Sequence, residues 1–249
     1  MVRWRVIGLF LLGVLARADT PASEPPAPTA GQPGKAGELE GKGFQWKPAL
    51  FQAGFFAGIQ HSFRIATEPA TRHNLGGPFW RDYLNSAKSL HGWEDGDPYL
   101  VNYVGHPMMG AVTGYIQVQN DPRGRTQVFG IRNREYWKSR LRATAFSAAY
   151  SIQFELGPIS ESSIGNVGID GKGHGAVDLV LTPVLGLAWQ ATEDALDHYV
   201  VRSLEKRVKN RVARLALRSG LNPSRALANA LRFKVPWHRD SREPGVSGW

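Results

Sequence analysis

The chain has 249 residues, which is long enough to bury one sizeable hydrophobic core, and its 30 basic and 21 acidic residues give a formal net charge of +9. It contains no cysteine. Disulfide bonds, thiolate metal sites and a lipid anchor on cysteine are therefore excluded.

The first 18 residues are typical of a secretory signal peptide. Arg3 and Arg5 stand at the start of a short apolar run over residues 6–15, and small residues occupy positions 16 and 18, where a signal peptidase reads the chain. The alternative is an uncleaved anchor, although the apolar run is short for a membrane span. We therefore expect an exported protein of the periplasm or of a cell-envelope membrane.

Composition divides the rest of the chain into four parts. Residues 19–43 are rich in proline, alanine and glycine, which predicts a disordered linker because such a segment has little apolar surface to bury. We expect a helical core domain over 44–200, a basic amphipathic helical tail over 201–235 and a disordered tail over 236–249.

Apolar side chains at three- and four-residue steps predict an all-α fold, a four- to six-helix bundle. The helices are expected over residues 49–67, 79–90, 99–119, 136–156, 176–217 and 223–233. Small residues at positions 53, 54, 57 and 58 predict that another helix approaches the first one closely. No alternating apolar pattern is long enough to support a sheet.

The C-terminal region is strongly basic. Between Arg202 and Lys234 there are ten basic residues, opposed only by Glu205. An apolar stripe beside these charges is typical of a basic amphipathic helix. For an exported protein the expected partner is a membrane surface or a lipid-like molecule, and nucleic acid is disfavoured. The alternative is a basic helix face that is merely solvated.

Two segments of the chain, residues 102–110 and 178–186, match each other. In both, a polar side chain (Asn102 or Asp178) lies five residues before a proline, and a glycine follows the proline by three residues. Each proline either kinks a continuous helix or begins a new one. If the match is an internal helix-loop-helix repeat, the two polar residues occupy equivalent places across a pseudo-symmetry axis.

Polar residues near the ends of the apolar helices are the candidate site. We expect His106, Glu155 and Asp178 to form a catalytic group, because an imidazole titrates near neutral pH and a carboxylate can orient it. The candidate binding residues around them are Asn102, Arg64, Glu68 and Glu161. The same groups could hold a divalent metal, but no spacing matches an established metal motif, so the cofactor stays open. The alternative is a buried structural hydrogen-bond network.

These motifs resemble an uncharacterised bacterial family of exported or membrane-associated proteins, a domain of unknown function. The resemblance covers residues 45–200 and rests on the segment 102–107 after a Gly-Asp-Pro loop, on Phe154-Glu155 with the following glycine, and on the segment 178–186. A fainter similarity is to VanZ-like membrane proteins, in which one acidic residue comes late in an apolar helix and an aspartate opens the next. The resemblance implies a membrane-associated protein without an assigned activity.

Three functional hypotheses follow from the sequence. The first is an envelope-located, membrane-associated helical protein that binds an apolar or lipid-like partner. The second is a membrane-associated hydrolase that acts on a lipid or cell-wall precursor through a His/Glu/Asp site. The third is an assembly role, in which the bundle holds another envelope protein.

Overall fold

The structure, a computed structural model, describes residues 43–75, 78–89, 92–93, 97–165 and 175–240. The expected signal peptide, the linker up to residue 42 and the chain end from residue 241 lie outside the described residues. Within the described ranges helices dominate and no strand forms, so the predicted all-α bundle is confirmed.

The helices follow one another in a simple order. The α-helices are α1 (Trp46–Thr67), α2 (Pro69–Asn74), α3 (Phe79–Lys88), α4 (His106–Asn120), α5 (Arg134–Leu156), α6 (Val177–Ala195), α7 (Arg202–Arg207), α8 (Arg211–Gly220) and α9 (Pro223–Leu231). Single turns of π-helix span Val101–Gly105, Glu161–Gly165 and Leu196–Val201, and a 3₁₀ turn spans Gly124–Thr126.

Helices α4, α5 and α6 form the centre of the bundle, and α1 and α9 pack against it. α5 runs antiparallel to both neighbours: Thr113 Oγ1 donates to Ser147 Oγ at 3.0 Å, and Ser151 Oγ donates to the Asp178 carbonyl at 3.2 Å. The buried apolar side chains of the core are Ala49, Ala53, Phe56, Val112, Tyr115, Ile116, Tyr150, Phe154, Ala228 and Leu231. Because the last two belong to α9, the core extends beyond residue 200, the boundary predicted from composition.

α4 and α6 lie side by side in the same direction, and equivalent positions of the two matched segments are in contact. A Cβ atom on Gly110 would overlap the carbonyl oxygen of Thr182, and one on Gly186 would lie 2.8 Å from the Gly110 backbone. One turn further along, the equivalent pair is Gly114 and Gln190, where a Cβ on the glycine would lie 2.9 Å from the glutamine Oε1. Only glycine permits such a close backbone approach. The matched segments are therefore neighbours in space, as a repeat requires.

The prolines of the two segments have different settings. Pro107 is the second residue of α4 and follows the π-helical turn directly, whereas Pro183 lies inside α6, which continues through it. The expected helix that continues through its proline occurs at Pro183, where the helix tolerates the lost amide donor. The expected helix that begins with its proline, with His106 or Thr182 just outside, does not occur, because His106 is itself the first residue of α4.

The predicted close approach at the small residues of α1 is wrong for its two glycines. A Cβ atom on Gly54 or Gly58 would meet no atom within 4 Å. Ala49 and Phe56 carry the buried face of α1 instead. The close helix crossing lies between α4 and α6, where the glycines of the matched segments face each other.

The basic C-terminal region is not the single long helix expected from 176 to 217. The π-helical turn Leu196–Val201 and the extended residues 208–210 divide it, and α8 alone is the strongly amphipathic basic helix. Two arginines of the basic region are buried in ion pairs. Arg225 pairs with Asp194, from outside the basic run, and Arg218 is 2 % exposed and pairs with Glu205, the one acidic residue within the run.

In the described part of the chain, no helix combines the length and the apolar character that a bilayer crossing requires.

Candidate functional site

The close crossing of α4 and α6 brings the first turns of both helices together, and with them two of the three predicted catalytic residues. His106 is the first residue of α4, and Asp178 is the second residue of α6. The His106 Nε2 atom lies 3.4 Å from Asp178 Oδ2, and the two side chains are only 9 % and 7 % exposed. The sequence therefore identified a pair that the fold assembles from positions 72 residues apart.

The other nitrogen of the imidazole is held by a third buried side chain. His106 Nδ1 lies 3.3 Å from Thr182 Oγ1, one turn along α6 from Asp178. When the hydroxyl accepts a hydrogen bond from Nδ1–H, the lone pair of the neutral imidazole is on Nε2 and faces the carboxylate. When the hydroxyl instead donates to Nδ1, Nε2 carries the proton and donates to Asp178, so the contact with Thr182 is compatible with both tautomers.

Asp97, which the sequence analysis did not single out, completes the group. The loop before it is tied to the start of α6, because the backbone amides of Ala176 and Val177 donate to the carbonyls of Gly92 and Trp93 at 3.2 and 3.1 Å. Ligand atoms of Asp97, His106 and Asp178 all lie within 4.8 Å of one another. The sequence feature that could have identified Asp97 is its place in the Gly-Asp-Pro loop just before the first matched segment.

The third predicted catalytic residue, Glu155, is outside this three-residue group. It is buried near the end of α5, and its backbone carbonyl accepts a hydrogen bond from Ser162 Oγ at 2.7 Å. Asn102 is buried in the π-helical turn, one turn before the histidine. The geometry thus places Asn102 along the same helical path as His106.

The remaining predicted binding residues lie at the end of α1. Arg64 forms an ion pair with Glu161, and its Nε atom donates to Thr71 Oγ1 at 3.3 Å. Glu68 is exposed at the junction between α1 and α2, where its backbone amide donates to the Arg64 carbonyl at 2.8 Å. The Arg64–Glu161 pair therefore fastens the π-helical turn Glu161–Gly165 to α1, which is a structural task.

Near this end of the bundle, His61 is a buried neutral group. Its ring stacks on Phe154 with centroids 4.8 Å apart. Burial lowers the pKa of His61 below its ordinary value, Arg64 acts in the same direction, and a backbone hydrogen bond to Ile159 opposes them. Its lowered pKa keeps this imidazole uncharged at neutral pH.

A second polar cluster lies around Asp194, near the C-terminal end of α6. Its Oδ2 accepts hydrogen bonds from Tyr136 Oη at 2.9 Å and Arg140 Nε at 2.8 Å, and its Oδ1 accepts from Tyr115 Oη at 3.0 Å and from Arg225. Burial alone would raise the pKa of the Asp194 carboxyl, but the Arg140 and Arg225 guanidinium groups hold it below its ordinary value. All four donors are held in place by this carboxylate, so the cluster fastens α9 to the core.

The neighbouring carboxylate of Glu193 accepts hydrogen bonds from the first turn of α9. Its oxygens accept from the backbone amides of Ser224 and Arg225 at 2.9 and 3.2 Å, and also from Trp189 Nε1 at 2.9 Å. An acidic group at this place satisfies amides that a helix leaves without internal partners. This second cluster is therefore structural.

No protein-family model, curated protein or solved structure matches this chain. The resemblance stated from the motifs remains a hypothesis, and the function has to be argued from the geometry.

Proposed function

We propose that this is an envelope-located, membrane-associated protein that docks peripherally on an anionic lipid surface through an aromatic patch. The patch consists of Phe51 and Phe55 on α1 and Phe233 after α9. The observation that carries the proposal is the stacking of these rings, which come from distant parts of the chain and yet are 59 %, 42 % and 76 % exposed. Signal peptide and export stay expectations from the sequence.

The three rings form one contiguous apolar surface. Centroid distances are 6.3 Å between Phe51 and Phe55, 6.4 Å between Phe51 and Phe233, and 6.2 Å between Phe55 and Phe233. Trp46 and Leu50 extend the surface along α1 and are 60 % and 59 % exposed. A contiguous exposed apolar surface of this kind marks an interaction site, whereas single exposed apolar residues do not.

The backbone conformation of Phe233 supports a functional role for its aromatic side chain. Its φ angle is 58°, in the left-handed region that a residue with a bulky side chain rarely occupies. Glycine is the usual residue at this place after a helix. The chain thus accepts backbone strain in order to place an aromatic ring against the other two, and such strain is commonest at functional sites.

The charge around the patch favours lipid as the partner. Lys47 and Lys234 are exposed beside the aromatic residues of their own segments, and α1 contains no acidic residue. Aromatic rings at the headgroup level together with lysines that reach the phosphates are typical of a peripheral membrane face. A protein partner would not require this basic rim.

Vesicle co-sedimentation tests the proposal. The wild type should sediment with vesicles that contain phosphatidylglycerol and much less with phosphatidylcholine alone. Phe233→Gly should lower the partition constant about tenfold, because burying a phenylalanine contributes roughly 1.5–3 kcal/mol. The matched control is Ile131→Gly, since Ile131 is also 76 % exposed but lies outside the patch. Equal binding by wild type and Phe233→Gly would contradict the proposal.

A second candidate function is a membrane-associated hydrolase that acts on a lipid or cell-wall precursor. The contact between His106 and Asp178 favours it, because a carboxylate-oriented imidazole can move a proton near neutral pH. Hydrolysis of lipid phosphate or ester bonds in the docked vesicles, measured with wild type and with His106→Gln, tests this candidate. Activity that persists in the variant would contradict it.

A further inference from the structure

We propose that Asp97, His106 and Asp178 bind one divalent transition-metal ion of the zinc class. The three side chains come from the loop before α4, from the first residue of α4 and from the first turn of α6. This inference rests on their geometry alone and holds whether or not the protein docks on lipid.

The separation of the two buried groups fits ligands of one ion better than a direct hydrogen bond. His106 Nε2 and Asp178 Oδ2 are 3.4 Å apart, which is longer than an ordinary charge-assisted hydrogen bond. Nitrogen and oxygen ligands bind zinc at about 2.1 Å, so two of them at a tetrahedral angle lie about 3.4 Å from each other. The pair is therefore already spaced for a shared ion.

The surroundings of His106 prepare it for this role. In metal sites a ligating histidine usually donates its second ring N–H to a neighbouring acceptor, which fixes the tautomer and orients the ring. Thr182 Oγ1 stands at that place, 3.3 Å from Nδ1. The α4–α6 crossing holds both residues, because Gly110 packs directly on the Thr182 carbonyl.

Asp97 supplies the third ligand from the solvent side. Its side chain is exposed, while the other two are buried, and all three ligand atoms lie within 4.8 Å of one another. Two carboxylates and one imidazole suit Zn²⁺, Co²⁺ or Mn²⁺ rather than Ca²⁺, which takes oxygen ligands only. Three protein ligands leave a coordination position for water.

The same chain contains a matched histidine–carboxylate pair that should not bind metal. His238 Nε2 lies 3.4 Å from Asp240 Oδ1, the same separation as in the proposed site. Asp240, however, is already engaged by Arg232, with Nη2 and Oδ2 2.8 Å apart, and among the residues that the structure describes no third ligand joins the pair. The positive guanidinium opposes a cation there.

Metal titration of the purified full-length protein tests the inference, with Zn²⁺ affinity measured by calorimetry and site geometry by the visible absorption of bound Co²⁺. The wild type should bind one ion per chain. Asp97→Asn should weaken binding by more than about 100-fold, since even partners outside the ligand set contribute 10–100-fold. Because Asp97 is exposed, this variant should keep the wild-type helical circular dichroism.

Two further variants complete the test. Thr182→Val should weaken Zn²⁺ binding about 10–100-fold, as expected for loss of the group that orients a ligating histidine. His238→Gln should bind Zn²⁺ as the wild type does. The inference is overturned if the wild type binds no Zn²⁺ or Co²⁺, or if Asp97→Asn binds either ion as tightly as the wild type.

Discussion

Asp194 satisfies four hydrogen-bond donors from three helices, and two of those donors are arginines. Asp194→Asn removes the charge but keeps the shape, so it leaves Arg140 buried without its counter-charge and Arg225 with only Asp197, at 3.9 Å. Breaking a buried ion pair in this way costs about 3–5 kcal/mol. We expect chemical denaturation to show a loss of that size in the free energy of unfolding.

The control for this prediction is another carboxylate-to-amide change. Glu135 pairs with Lys138 at 2.7 Å on the surface of α5, where the two side chains are 59 % and 55 % exposed. Glu135→Gln should change the free energy of unfolding by less than about 1 kcal/mol, as surface pairs do. Similar losses in the two variants would show that Asp194 is not the centre of a buried network.

His61 makes stability depend on pH. Its pKa in the folded protein is lowered, chiefly by burial, whereas the unfolded chain has a pKa of about 6.5. As pH falls through that value the unfolded chain binds the proton first, so the free energy of unfolding decreases. His61→Phe keeps the stack on Phe154 and removes the titration. Thermal unfolding between pH 7.5 and 5.5 should show a smaller decrease for the variant, and parallel curves would contradict this assignment.

At the scale of the elements, the α4–α6 crossing depends on the absence of a side chain at Gly110. Gly110→Ala would place a Cβ atom on the Thr182 carbonyl, so the helices would have to separate. Overpacking of this kind costs about 1–3 kcal/mol. Gly54→Ala is the control, because its Cβ meets only open space and alanine favours a helix. The thermal unfolding temperature of Gly54→Ala should equal or exceed that of the wild type, and that of Gly110→Ala should lie well below it.

The sequence correctly predicted the helices that pack through one regular apolar face. The prediction failed where a helix is interrupted. The long helix expected from 176 to 217 continues through a π-helical turn and ends before residues 208–210, and arginines beyond this break pair with Asp194 and Asp197. Such pairings between residues that are far apart in the chain produce no periodic pattern in the sequence. The sequence did not predict α2 (Pro69–Asn74). A proline that follows a helix indicates its end, but proline is also common at the start of a helix, as at Pro69.

For the candidate site, the matched segments were the informative feature. In the structure His106 contacts Thr182, its equivalent in the second segment, and Asp178, which lies one turn before Thr182. The sequence could not place Asp97, whose position depends on backbone hydrogen bonds between its loop and the start of α6. It grouped His106, Glu155 and Asp178 because all three lie near the ends of apolar helices, and such a position does not fix which side chains share a cavity.

At the scale of the whole molecule, the basic residues of the C-terminal region fall into two groups. Arg218, Arg225 and Arg239 form ion pairs with carboxylates inside the fold. Lys206, Arg207, Lys209 and Arg211 are exposed, as are Lys47 and Lys234 beside the aromatic patch. The net charge alone therefore overstated how much of the basic region is available to an anionic partner.

A substitution at Phe233 distinguishes an effect on protein stability from an effect on vesicle binding. Replacing it with glycine relieves a left-handed backbone strain of about 1 kcal/mol and removes an exposed ring. We expect the thermal unfolding temperature of Phe233→Gly to equal or exceed that of the wild type, while vesicle binding falls. A variant that is clearly less stable would show that the ring serves the fold.

The most direct test of the membrane-docking claim uses the absence of cysteine from the chain, which makes any introduced cysteine a unique labelling site. An environment-sensitive fluorophore is attached to Leu50→Cys inside the patch or to Ile131→Cys outside it, both at exposed positions. With anionic vesicles, docking predicts a blue shift of the emission at position 50 and none at position 131. Equal shifts at the two positions, or none at either, would contradict the proposed docking face.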